Sequence, residues 1–433
     1  MELIIEKLIY GGDGLARLPA DEHGRGKAVF IPFVLDGERI DALITEEKPG
    51  FARAHAEKIL SPAPTRIEAP CPYFLHCGGC QYQHTTYEHQ LQVKAAILHE
   101  NLARLAKIEL AVPLQVHASP PWNYRNRTRM QVRAQGEFLL GYYRHGSHQV
   151  LAVEECPISS PLLNRAIAGT WDLGRQGKLP ADVLEIEFFA NADDTELLVE
   201  IYCRHEIEKR QLEIVAETFK SDLPRVIGAA TFRVSSSPHA ADVQSNPDFV
   251  AGARHLDYKC RDASYRVSAG AFFQTNRHLL DELVSVVTSG NSGRTALDLY
   301  AGVGLFSTVL KRNFERVIAV EVSPLSFSDL QYNSAGNVKT VQATSEQYLE
   351  RSERKSQPDL VIVDPPRGGL GKKVAQSLVQ LGPARLTYVS CDPATLARDL
   401  IVLKAAGYVI EQAHLFDLFP QTFHVESVLM LRK

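Results

Sequence analysis

The chain has 433 residues, 45% hydrophobic and 23% charged, with a formal net charge of −4. That length exceeds what one hydrophobic core organises, so two or three domains are expected, and the mild negative charge excludes a globally basic nucleic-acid binder, leaving only local patches for such contacts. No apolar run reaches membrane length, the start MELIIEKLIYGGDG lacks a signal-peptide pattern, and seven cysteines, an odd number, fit a reducing cytoplasm.

Residues 1 to about 60 alternate apolar and polar positions over short runs. ELIIEKLIY, the turn GGDG, KAVFIPFVL, the turn DGE and RIDALITEE are strand and hairpin signals, and together they predict a small β-barrel. SPAPTRIEAPCP then reads as a proline-rich linker. A second region, from about 70 to 260, opens on CPYFLHCGGCQYQH, which holds Cys71, Cys77 and Cys80; Cys156 follows in EECPISS. Two glycines between the last pair of thiols let the backbone turn so that the sulfurs converge. Four thiolates satisfy a tetrahedral zinc or a [4Fe–4S] cluster. The three-plus-one grouping favours the cluster; zinc, and ordinary buried or disulfide-bonded cysteines, stay as alternatives.

TYEHQLQVKAAILHENLARLA has apolar residues at helical spacing. In WNYRNRTRMQVR, Arg125, Arg127, Arg129 and Arg133 share one parity, so a strand places them in one row on one face. With Trp122 and Tyr124 beside it, such a row suits phosphate contact and base stacking, and the alternative is a solvated edge strand.

From about 261 to the end, the strand-like runs TALDLY, RVIAVEV, PDLVIVD and LTYVSCD alternate with helical ones, which predicts a parallel α/β sheet. TALDLYAGVGLF carries Asp298 near a strand end and then Gly302 and Gly304, a loop over which a ligand can approach the backbone. Glu321 ends the next strand, where an acid can hold a ribose diol. The pair points to S-adenosylmethionine against a plain tight turn. Asp364, in DLVIVDPPRGGL, lies at a third strand end. Cys391, in LTYVSCDPATLARDL, lies at a fourth, ahead of a helix whose dipole favours a thiolate; Asp392 opposes that effect and Arg398 offsets it. The closing run FPQTFHVESVLMLRK brings His424 and Glu426 back to the same edge, and Glu426 is placed to accept a proton.

The cysteine run with Cys156, then SAGAFFQTN, DLYAGVG, VIVDPPRGG, SCDPATLARDL and FPQTFHVE in this order, resembles the RNA uracil-5-methyltransferase family over nearly the whole chain. The nearest subgroup is the bacterial 23S rRNA enzymes with an N-terminal TRAM domain and a [4Fe–4S] cluster. The resemblance implies a TRAM-like barrel over 1–60, a central α+β domain over 70–260 holding the cluster and RNA-binding strands, and a Rossmann-like S-adenosylmethionine-dependent methyltransferase domain over 261–433. It implies Cys391 as nucleophile, Glu426 as proton acceptor, and Gln274, Tyr300, Glu321 and Asp364 at cofactor positions, with Asp298 and Gly302 in the same loop. Cys71, Cys77, Cys80 and Cys156 are the implied cluster ligands. The implied partner is RNA with a single-stranded or flippable uridine, without DNA or membrane, met by a monomer in the cytoplasm. Leu305, Thr344, Asp36 and Pro324 depart from the family's usual residues. A tRNA substrate, or an RNA-binding protein whose transferase domain has decayed, are the alternatives. Because the cysteines and the cofactor motifs lie far apart in sequence, the cluster is expected to organise the RNA-binding loop separately from the catalytic domain.

Overall fold

The computed structural model describes residues 1–19, 26–223, 225–234, 246–351 and 357–433. The N-terminal strands are β1 (Glu2–Ile4), β2 (Lys7–Leu8), β3 (Gly14–Arg17), β4 (Ala28–Ile31), β5 (Arg39–Glu47) and β6 (Phe51–Ser61), in one sheet of order β1-β5-β6-β4-β3-β2. Inward residues such as Leu3, Val29, Ile31 and Ile40 form its small core. The linker is pinned to it by a buried carboxylate: Glu38 accepts the Leu35 N–H at 2.8 Å and ion-pairs with Arg66.

Next come α1 (Tyr87–Ala106) and β7 (Leu114–His117). The central sheet contains β8 (Arg127–Arg133), β9 (Leu139–Tyr143), β10 (Val150–Ala152), β11 (Val183–Ala190), β12 (Leu197–Arg204), β13 (Val226–Val234) and β14 (Phe249–Gly252), ordered β10-β9-β8-β11-β12-β13-β14. Helices α2 (Pro161–Arg175) and α3 (Lys209–Asp222) share a core with it. Ser160 caps α2 by accepting the Leu163 N–H, and Pro161 occupies the first turn, where its missing donor costs nothing.

A hairpin, β15 (His255–Cys260) and β16 (Ala263–Ser268), leads into α4 (Leu280–Thr288), β17 (Gly293–Leu299), α5 (Ser307–Leu310), β18 (Phe314–Glu321), α6 (Pro324–Asn333), β19 (Val338–Gln342), α7 (Ser345–Arg351), β20 (Leu360–Val363), α8 (Gly371–Leu381), β21 (Arg385–Ser390), α9 (Pro393–Ala405), β22 (Val409–Phe416) and β23 (Glu426–Arg432). Their sheet has the order β19-β18-β17-β20-β21-β23-β22-β7. β17 to β21 run parallel, and the LVIV of β20 is buried throughout, as a strand covered on both faces requires. β23 enters antiparallel between β21 and β22. Chain order reverses between β17 and β20, the switch point at which open α/β sheets take ligands.

Two boundaries differ from expectation. β7 pairs in parallel with β22, and α1 shares a core with α9, so residues 87–117 belong to the C-terminal layer and not to the central region. The hairpin β15–β16 straddles residue 261 and packs its Leu256, Tyr258, Tyr265 and Val267 into the C-terminal core. Helical periodicity identified α1 but carries no information about which sheet it covers.

Candidate active site and cysteine pocket

The carboxyl edge of the C-terminal sheet gathers the acids expected there. Asp298 is fully buried; its Oδ2 accepts the Ser307 hydroxyl, its Oδ1 has no partner, and burial pushes its carboxyl up to about 7. The chain then leaves β17 through Tyr300 at φ +64°, Gly302 at +55° and Gly304 at +94°. A Cβ on Gly302 would meet nothing within 4 Å, whereas one on Gly304 would lie 2.9 Å from Leu330 Cδ1. The first glycine leaves open space and the second permits close helix packing. Glu321 closes the loop, its Oε2 accepting the Gly302 N–H at 2.8 Å and its Oε1 the Ser323 N–H at 2.7 Å. Exposed Val322 supplies an apolar flank. An orphaned buried carboxylate oxygen, an uncovered glycine and an acid at the neighbouring strand end fit an adenosyl ligand. Gln274 is half-buried in the segment after β16, which is tied to the sheet edge by the Asn276 amide donating to the Leu418 carbonyl at 3.0 Å.

Cys391 follows β21 directly, and Glu426 opens β23, its ladder neighbour through the pair Ser390–Ser427. Glu426 is buried, and burial followed by the Asp364 charge raises its pKa, with Arg367 opposing. Burial followed by Asp298 raises Asp364. The Cys391 thiol is pushed up to about 12 by burial, then by Glu426 and Asp364, while Arg367 pulls it down. Burial and the two acids thus work against the thiolate character expected of this position. The helix N-terminus that was to supply it is consumed by Asp392, whose Oδ1 accepts the N–H groups of Ala394 at 3.0 Å and Thr395 at 2.8 Å. Arg398 does not offset that acid either: it pairs with Asp399 and donates to the Gly368 carbonyl at 2.7 Å. His424 is held neutral, lowered to about 3 by burial and Arg367.

The departures from the family pattern have structural roles. Leu305 is buried, and its carbonyl accepts the Tyr265 hydroxyl at 3.0 Å. Thr344 and Gln347 cap α7 reciprocally, at 3.2 and 3.1 Å. Pro324 begins α6 behind its cap Ser323.

Cys71, Cys77, Cys80 and Cys156 line one cavity of about 140 Å³, together with Gln83 and Arg125. All seven cysteines are free, which removes the disulfide alternative. Among the described residues no group of three or more His, Cys, Asp or Glu side chains meets as a site for one ion. The Gly79 N–H donates to Cys77 Sγ at 3.4 Å, and Arg125 Nε is buried without a partner beside the cavity. One backbone N–H and one guanidinium thus face the thiols of this cavity.

The arginine row is a correction. The parity holds, but β8 lies inside its sheet, between β9 and β11, and the row faces acids. Arg127 is buried and pairs with Glu187 and Glu200, and its Nη1 donates to the Ala271 carbonyl at 2.6 Å. Arg129 pairs with Glu187 at 2.5 Å and donates to the Tyr202 hydroxyl at 2.7 Å. Arg125 serves the cysteine cavity, and Trp122 packs against the cluster of Phe74 and Tyr124. Of the expected RNA-contact residues only Arg133 is exposed. The acids that neutralise the row stand on β11 and β12, more than fifty residues away in sequence.

Residues that motif reading passed over complete the site. Arg367, in the DPPRGG run, opposes the acids around Cys391 and approaches His424 at 3.5 Å. Asp399 accepts the Leu370 N–H at 2.7 Å and the Tyr388 hydroxyl at 2.9 Å, locking that run to α9. Gly369 is obligatory there: at φ +71°, its Cβ would lie 2.6 Å from Asp399 Oδ2. Tyr10, from the barrel, donates to the Cys391 carbonyl at 3.2 Å, a contact no local pattern signals.

Residues 86–433 match the family described as tRNA (Uracil-5-)-methyltransferase, and residues 1–56 match the TRAM domain. An uncharacterized RNA methyltransferase of Aquifex aeolicus is 33% identical over 440 residues, covering 100% of this chain and 98% of that protein. One from Halalkalibacterium halodurans is 29% identical over 455 residues, covering 100% and 96%. The crystal structure of Pyrococcus abyssi tRNA (uracil-54, C5)-methyltransferase in complex with S-adenosyl-L-homocysteine superposes with a TM-score of 0.77 at 24% identity, covering 100% of both chains.

Proposed function

This chain belongs to the tRNA (uracil-5-)-methyltransferase family, and on that premise we propose that it methylates carbon 5 of a uridine in 23S rRNA, with Cys391 as nucleophile and Glu426 as base. The observation that carries the reading is the meeting of Cys391, Glu426 and Asp364 at adjacent strand ends, close enough for the two acids to raise the thiol. Carbon 5 of uracil is a poor nucleophile. Addition of the Cys391 sulfur to carbon 6 forms an S–C6 bond and moves the C5–C6 π pair into an enolate, which makes carbon 5 nucleophilic. S-adenosylmethionine, held along Asp298–Gly304 and Glu321, would supply an electrophilic methyl group, carbon 5 forming its new bond to the methyl as the methyl–sulfonium bond breaks and the neutral thioether leaves. Glu426 then takes the carbon-5 proton, the C5–C6 double bond re-forms, and the S–C6 bond breaks to release the thiolate. Arg367 favours the thiolate at the start and end of the cycle. Asp364 and Gln274 orient the uracil edge or the methyl donor.

Cys71, Cys77, Cys80 and Cys156 hold a [4Fe–4S] cluster in this reading, and its part is structural: ligation orders the loop around it. The 23S assignment follows from the resemblance of the barrel and cysteine run to that subgroup. The second reading, tRNA, is favoured by the family's description and by the substrate in the name of the Pyrococcus abyssi protein. A decayed, non-catalytic protein is disfavoured by the intact Cys391–Glu426 pair. Mass spectrometry of 23S rRNA and tRNA from a strain lacking this protein decides among them. A 5-methyluridine lost from 23S rRNA supports the proposal, one lost from tRNA moves the substrate, and no loss from either refutes the uridine reading.

A further inference from the structure

The N-terminal barrel reaches the nucleophile. Tyr10 sits in the turn between β2 and β3, where Gly11 and Gly12 adopt φ of +110° and +95°. That turn closes through Ile9 N–H to the Asp13 carbonyl at 2.9 Å and Gly12 N–H to the Ile9 carbonyl at 3.1 Å. It is pressed against the segment after the cysteine run: a Cβ on Gly12 would lie 2.8 Å from Gln81 Cγ. From there the half-buried phenol donates to the Cys391 carbonyl at 3.2 Å, across 381 residues of sequence. The β21–β23 ladder ends at Ser390–Ser427, so this carbonyl lies beyond the hydrogen bonds that hold the strand. The Tyr10 ring meets Phe423 edge-on at 5.5 Å, and Phe423 stands three residues before Glu426. One barrel side chain therefore touches the peptide carrying the nucleophile and the segment leading to the base.

We propose that Tyr10 is a positioning residue for Cys391, through which the N-terminal barrel forms part of the catalytic site. The Cys391–Asp392 peptide is the joint between β21 and α9, and its rotation swings the sulfur relative to a bound pyrimidine. The phenol fixes that peptide plane from outside the catalytic layer. Covalent addition depends steeply on such alignment, because a reacting atom displaced by about 1 Å costs on the order of a hundredfold in rate. The inference rests on the assignment of Cys391 as nucleophile, and its test separates the two.

Adduct formation is measured with 5-fluorouridine RNA and S-adenosylmethionine at saturating RNA, first on the wild-type chain. If that chain forms no adduct, the functional reading fails. With wild-type trapping established, Tyr10→Phe keeps the ring against Phe423 and removes only the phenol. The expected result is adduct formation slowed roughly tenfold, the scale of one hydrogen bond (about 1.4 kcal/mol), with RNA affinity within about twofold of wild type. A wild-type rate overturns the proposal. So does RNA affinity weakened well beyond twofold with an unchanged rate at saturating RNA, since the phenol would then be binding RNA instead of holding the cysteine peptide. Should Tyr10→Phe lower the melting temperature, Phe423→Leu provides a reference that disturbs the same contact but keeps the phenol. An equal loss of adduct rate at equal destabilisation overturns the proposal, and a larger loss in Tyr10→Phe sustains it.

Discussion

Arg127→Ala separates a structural arginine from an RNA contact. Arg127 bridges Glu187 and Glu200 beneath the loop that carries Gln274, and its Nη1 donates to the Ala271 carbonyl. In the variant Glu187 keeps Arg129, and Glu200 keeps only the Gly270 N–H and the Tyr202 hydroxyl. A buried carboxylate stripped of its counter-charge costs roughly 3–5 kcal/mol. The sign with pH follows. Burial already raises the Glu200 pKa, with Arg127 opposing, so removing the arginine raises it further. A carboxyl whose folded pKa lies above its unfolded value loses stability as pH rises through the unfolded value, so the defect is larger at pH 8 than at pH 5. Urea unfolding of the full chain at both pH values measures this. RNA affinity across a salt series should keep its slope, because no phosphate contact is removed. Wild-type stability together with a slope shallower by about one would refute the structural role and restore Arg127 to the RNA surface.

Cys391→Ala should abolish the covalent band that wild type forms with 5-fluorouridine RNA and the methyl donor, seen by denaturing gel; a variant that still traps RNA removes the nucleophile assignment. Glu426→Gln should slow release more than methyl transfer, by roughly 10²–10⁴-fold, so that adduct accumulates on natural uridine RNA; normal turnover without adduct would place the base elsewhere. Anaerobically purified protein should be brown with about four irons per chain, as the cluster type requires; stoichiometric zinc without iron would keep the ligand set and discard the cluster. Cys77→Ser should lose iron and weaken RNA binding, read by metal analysis and filter binding; full iron with unchanged RNA affinity counts against that ligand.

The catalytic layer was largely legible because its chemistry sits at strand ends that motifs mark. Asp298, Glu321, Asp364, Cys391 and Glu426 all lie where alternating runs placed them, and the four cavity cysteines converge across 85 residues. Legibility failed where the deciding partner was distant. The shared parity of Arg127 and Arg129 was real, but whether a row of charges meets phosphate or carboxylate depends on the neighbouring strand, and here that strand presents Glu185 and Glu187. Cys391 looked activated from its place before a helix. Local sequence could not weigh the burial and the two facing acids that reverse the effect. α1 was recognisable as a helix, yet only the pairing of β7 with β22 shows that it covers the catalytic sheet.

The same non-local packing revises the division of labour implied by the distance between the cysteines and the cofactor motifs. The N–H groups of Gln81 and Tyr82, directly after Cys80, both donate to the Gln421 carbonyl at 2.9 Å. Gln90 and Gln421 exchange amide hydrogen bonds at 3.0 Å in each direction, and the Tyr124 hydroxyl donates to the Pro420 carbonyl at 3.0 Å. Gln421 is held at φ +69°, a conformation a non-glycine residue keeps only where its surroundings over-determine it. Below these contacts Lys94 and Asp417, both fully buried, close an ion pair at 2.6 Å. All of them act on residues 417–421, immediately before Phe423 and Glu426. The residues directly after the cysteine run are therefore a scaffold for the segment that leads to Glu426. Loosening it removes the Gln81 and Tyr82 donors from Gln421 while Gln90 stays in place, so a fault at the cysteines is expected to reach proton abstraction at Glu426 before it reaches the adenosyl loop around Gly302.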